Sequence, residues 1–139
     1  MPQPIRQTVL DHDLTPRFAS STTVAASPAA GAETTIATVT IPSFGDLQVV
    51  SGIRVFGWAA FTVGTSGISA TLQIKQTNSS GSAIVSSGAV TETAANLDEV
   101  SVMGFDAGAG VKTYVLTLTI GSGAAASTVS AVYLGVQVF

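Results

Sequence analysis

Two runs near the C-terminus alternate apolar and polar side chains with a period of two, and this constrains the chain more than any other feature. In residues 111–120 (VKTYVLTLTI), Tyr114, Leu116, Leu118 and Ile120 point one way, and Val115, Thr117 and Thr119 the other. After the linker GSGAAAS the period returns: Val132, Leu134, Val136 and Val138 alternate with Ala131, Tyr133, Gly135 and Gln137. A β-strand sends successive side chains to opposite faces, so each run is a strand with one buried face. A Gly-Ser-Gly connection between two such runs predicts an antiparallel hairpin.

The same reading extends backwards to residue 32. Thr34–Ile41 is β-branched and stopped by Pro42. Residues 47–63 form one long bent strand or two, with Gly52 a candidate bulge and Trp58 the sole tryptophan. In 68–76, Ile68, Ala70, Leu72 and Ile74 face inward and Ser69, Thr71, Gln73 and Lys75 outward. Asn78–Gly81 turns the chain by its residue types, residues 83–91 return with a candidate bulge at Gly88, and residues 97–105 place Val100 and Val102 inward. Seven to nine short strands with no credible helix predict an all-β antiparallel sandwich or jelly roll spanning 32–139.

Residues 1–31 differ. They hold Pro2, Pro4, Pro16 and Pro28, four of the five prolines in the chain. Proline fixes φ and removes a donor, so this segment is expected to be an extended N-terminal arm. Ile5, Val9, Leu10, Leu14 and Phe18 are its apolar anchors, and Gln7–Leu10 is a candidate short strand against another chain.

Composition excludes more than it assigns. The chain has 139 residues, of which 46% are hydrophobic and 9% charged, against about 25% charged in ordinary soluble domains. So much neutral surface is prone to association unless assembly covers it. The five basic residues (Arg6, Arg17, Arg54, Lys75, Lys112) are scattered, giving no footprint for nucleic acid or for a membrane surface. Cysteine is absent, so no thiolate site or disulfide frame is expected. No signal peptide is visible at the N-terminus, and synthesis in the cytoplasm is expected.

Reactive clusters are equally thin. Asp11–His12–Asp13 falls short of the three or four convergent ligands that zinc needs, because no second His and no Cys exists. His12 has no G-x-S-x-G elbow to serve. Asp98 and Glu99 are neighbours, so on a strand they point to opposite faces. No catalytic, cofactor or metal residues are assigned, and the chain is expected not to be an enzyme. Trp58, with Phe56 and Phe61, reads first as core filling and second as a platform for carbohydrate or a partner.

The stretch YVLTLTIGSGAAASTVSAVYLGVQVF resembles the C-terminal half of small trimeric jelly-roll modules on phage and spore surfaces. GWAAFTVGTSGISATLQIKQTNSSGS is similar in its low-charge, Thr/Ser/Ala-rich style, and the arm before a sandwich resembles tailed-phage capsid decoration (cement) proteins. The resemblance implies a structural virion protein on the outer capsid surface. It would form a homotrimer, bind the major capsid protein and staple neighbouring capsomers. On that reading Arg6, Arg17 and Phe18 are arm contacts, and Tyr133, Gln137 and Phe139 face a neighbouring subunit. The alternative is a carbohydrate-binding or adhesive module of a phage tail or a cell or spore surface.

Overall fold

The computed structural model describes residues 17–41, 52–91, 97–106, 113–125 and 127–138. They form nine strands: β1 (Arg17–Ser21), β2 (Glu33–Thr40), β3 (Ile53–Thr62), β4 (Ser69–Gln76), β5 (Ala83–Ser86), β6 (Val90–Thr91), β7 (Leu97–Asp106), β8 (Thr113–Ile120) and β9 (Thr128–Val138). A four-stranded sheet runs β1-β9-β3-β7; a five-stranded sheet runs β2-β8-β4-β5, with β6 also on β4. Every strand pair is antiparallel. The fold is an all-β sandwich of jelly-roll type.

The core lies between the sheets and is built from the alternation seen in the sequence. Leu72 and Ile74 of β4, Leu116, Leu118 and Ile120 of β8, and Leu134 and Val136 of β9 are all fully buried. Gly57 faces the same interior from β3, because a Cβ there would lie 2.6 Å from Leu116 Cδ1. The glycine therefore lets the two sheets approach at this point.

The expected C-terminal hairpin does not form. β8 lies in the five-stranded sheet and β9 in the four-stranded one, so the GSGAAAS linker crosses between layers. A buried face can be satisfied by a facing sheet as well as by a neighbour in its own sheet. Period-2 alternation reports that a face is buried and is silent about the hydrogen-bonding partner. The loop Asn78–Gly81 does close the β4–β5 hairpin, with Gly81 N–H donating to Asn78 O at 2.9 Å.

Residues 53–62 are one strand, and Leu47–Ser51 lie outside the described residues. Gly52 precedes β3 and carries no register shift; the shift between β3 and β9 falls between Ala60 and Phe61 instead. Gly88, at φ +72°, separates β5 from β6, so the return read as one bulged strand is two. There Ser87 bridges to β4: its N–H donates to Leu72 O at 2.9 Å, and its hydroxyl accepts from Leu72 N–H at 3.0 Å.

Within the stretch read as an arm, residues 17–31 lie on the sandwich. β1 pairs with β9 from Arg17↔Val138 to Ser21↔Leu134. Ala25 N–H donates to Ile36 O, and Gly31 N–H donates to Ile120 O, each at 2.9 Å. Gln7–Leu10 and the Asp11–His12–Asp13 cluster lie outside the described residues.

Two polar contacts tie the layers and edges. Asp106 of β7 is buried, and its Oδ2 accepts from Tyr114 OH of β8 at 2.8 Å and from Gln76 Nε2 of β4 at 2.9 Å. This carboxylate joins one sheet to two strands of the other. Lys75 Nζ pairs with Glu33 Oε1 at 2.6 Å and donates to Ser79 O at 2.9 Å. Burial tends to raise the Glu33 pKa, but the hydrogen bond of Lys75, the Thr117 hydroxyl and the positive charge of Lys75 outweigh it and leave the carboxyl below its ordinary value.

Candidate assembly face

The two outer faces of the sandwich have different chemistry. On the five-stranded sheet the outward positions are hydroxyl- and amide-rich: Thr35, Thr38, Thr71, Gln73 and Thr119, with Thr117 buried among its neighbours. On the four-stranded sheet they are aromatic and apolar. Registers across β7, β3 and β9 set out its rows. Phe105, Arg54 and Gln137 form the first; Met103, Phe56 and Gly135 the second. Ser101, Trp58 and Tyr133 form the third; Glu99, Ala60 and Ala131 the fourth. Phe18 of β1 extends the first row beside Gln137.

This face is exposed to a degree unusual for its composition. Phe18 is 57% accessible, Leu97 55%, Met103 68% and Phe105 60%. Large apolar side chains exposed together mark contact sites more often than isolated ones do. Phe56 and Tyr133 stack with centroids 5.7 Å apart and planes 14° from parallel. Their rings cover Gly135, where a Cβ would sit 2.5 Å from Phe56 and 2.7 Å from Tyr133. Glycine at 135 is thus what allows the aromatic pair to lie flat on the sheet. A hollow of about 420 Å³ opens at the centre, lined by Phe56, Trp58, Ser101, Met103 and Tyr133. Arg54 and Glu99 are the exposed charges of the four rows, at opposite ends.

The structure brings three of the residues singled out from the sequence onto this one face: Phe18, Tyr133 and Gln137. Arg17 opens β1 opposite Val138, while Arg6 and Phe139 lie outside the described residues. Trp58 is not core filling. It is half-buried on the outer face beside Tyr133, while Phe61, an odd number of positions along the same strand, is buried inside. Asp98 and Glu99 point to opposite faces, with Asp98 half-buried and Glu99 exposed.

Leu97, Met103 and Phe105 were missed by sequence reasoning. The signal was present, since placing Val100 and Val102 inward sends 97, 103 and 105 outward by parity. Among the described residues, no three His, Cys, Asp or Glu side chains come together as a metal site.

No family model matches the chain, and no curated protein matches it. Among solved structures, it is similar to a chain from the structure of infectious bursal disease virus Gx strain. The two are 15% identical, with a TM-score of 0.56 over 88% of this chain and 32% of that one. The chain shares its β-sandwich fold with part of that virus chain. A chain of the infectious bursal disease virus VP2 subviral particle is 14% identical, with a TM-score of 0.49 over 89% of this chain and 33% of that one. A chain from a structure of Bacillus endospore appendages, described as disulfide-linked pili, is 14% identical with a TM-score of 0.38, covering 89% of this chain and 84% of that one. The chain spans about a third of the length of the two virus chains. The likeness is one of fold to a chain of that virus and does not specify tailed-phage decoration proteins.

Proposed function

We propose that this chain is a non-enzymatic structural subunit of a virion, seated on the outside of an assembled capsid as a decoration protein. The observation that carries the reading is the exposed aromatic and apolar face of the four-stranded sheet on a chain with few charges. Such a face packs against a partner with little ion desolvation. The capsid-like fold supports the virion setting. In this reading the face and the segment before β1 grip neighbouring subunits or the major capsid protein. Many weak contacts repeated over a shell then give tight retention.

Immunogold labelling with antibody to the chain tests this, on intact particles purified from the culture that produces it. Labelling of particle exteriors is expected. Particles free of label, with the chain recovered only in the soluble fraction, would contradict the reading.

One observation favours a second reading, an adhesive module that binds carbohydrate: Trp58 stands on the outer face beside Tyr133 and Ser101. Aromatic rings flanked by hydroxyls suit sugar faces. Saturable quenching of Trp58 fluorescence by one member of a glycan panel would select it.

A further inference from the structure

The geometry points to a second copy of this chain as the occupant of the aromatic face, packed face to face about a two-fold axis. The inference goes beyond the proposed function, since it concerns free copies and needs no particle.

The four rows are self-complementary when the face is turned end for end. An axis across the strands at the level of Gly57, Val102 and Leu134 lies midway between the second and third rows. It sets the first row against the partner's fourth and the second against the partner's third. Away from the axis, three long side chains then meet short ones. Met103 stands over the partner's Ser101, which lines the hollow. Gln137 stands over Ala131 and Arg54 over Ala60, while Tyr133 meets the aromatic pair that covers the partner's Gly135. Phe56 and Trp58 face each other across the axis. Around this aromatic centre, long side chains over short ones let the two sheets approach their usual spacing of about 10 Å.

Charge follows the same symmetry. Arg54 and Glu99 lie six positions apart along the face, about 20 Å at the rise of a strand. Turning one copy end for end brings each Arg54 to within one strand of the partner's Glu99, a lateral offset of about 4.8 Å. Two opposite-charge pairs form at the two ends of the contact, and like charges are kept apart. A three-fold arrangement does not use this match, because it places each face against a different surface.

The area suffices. Three strands of about ten residues and the five-residue β1, at about 4.8 Å spacing and about 3.3 Å rise, give a face of roughly 550 Å². Two such faces bury about 1,100 Å², above the roughly 1,000 Å² that a biological interface should clear.

The test is a charge swap read by light scattering and sedimentation equilibrium on the full chain. The wild-type mass is expected at twice the 13.9 kDa chain mass. Arg54→Glu alone and Glu99→Arg alone each create like-charge pairs across the axis. Each is expected to weaken self-association at least about tenfold. The double variant Arg54→Glu/Glu99→Arg restores opposite pairs and is expected to recover the dimer. Ser101→Trp, which fills the hollow that receives Met103, is expected to give single chains. A wild-type chain that stays single at all concentrations, a mass of three chains, or a double variant no better than the singles would overturn the inference. So would a single chain whose Trp58 fluorescence responds to a glycan, which would give the face to a ligand.

Discussion

Phe61→Ala is expected to destabilise the fold by about 3–5 kcal/mol. Phe61 is 1% accessible, on the inward face of β3 between β7 and β9. Truncation removes the transfer free energy of a ring and leaves a cavity that two clamped sheets cannot close. A domain of ordinary stability holds only about 5–15 kcal/mol in total, so the loss is a large part of it. Urea unfolding of dilute protein is the measurement, with the midpoint falling and the slope unchanged. Phe18→Ala is the control: its ring is more than half exposed, and the expected change is within about 0.5 kcal/mol. Equal losses at both positions would show that the separation of core from face is wrong.

Asp106→Ala carries the second large effect, about 2–5 kcal/mol. It strands the Tyr114 hydroxyl inside the sandwich and removes the acceptor of Gln76 Nε2. A buried donor left without an acceptor costs about 1–3 kcal/mol. Asp106→Asn keeps an oxygen in place and is expected to lose less than half as much.

The same contact sets a pH response. Burial, then the hydrogen bond to Asp106 and its negative charge, push the Tyr114 pKa well above its ordinary value. The folded state therefore favours the neutral phenol. Its contribution is fully present below the unfolded tyrosine value of about 10 and is lost as pH rises through the higher folded value. Denaturant midpoints should fall above about pH 10, and Tyr114→Phe should flatten that fall. An unchanged slope in the variant would remove Tyr114 as its source.

Much of the fold was legible because strands with one buried face write their orientation into alternate residues. Leu72 and Ile74, Leu116 and Leu118, and Leu134 and Val136 were read inward and lie there. Pairing was not legible. The alternation in β8 and β9 is satisfied equally by packing across the core or side by side, and the short GSGAAAS linker suits both. The contact face was half legible. Tyr133 and Gln137 were placed on one surface by parity alone. Met103 and Phe105 obey the same parity, but apolar residues at outward positions conflict with the usual reading of an outer face. Trp58 was drawn to the core because a chain with 6% aromatic residues is expected to bury its largest ring. Register with Tyr133 puts it outside. The conflict between local pattern and surface chemistry falls where function is proposed, as it does where proteins depart from local consistency.

The central claim is that the outer face of the four-stranded sheet is a contact surface. The oxidation rate of Met103 tests it most directly. Met103 is 68% accessible in the single chain, and its thioether becomes a sulfoxide under dilute peroxide. Peptide mass spectrometry would follow this reaction in dilute protein and in protein concentrated enough to assemble. The account predicts fast oxidation when dilute and strong protection when assembled. Equal rates in the two states, with assembly verified by mass, would place the contact elsewhere and contradict it.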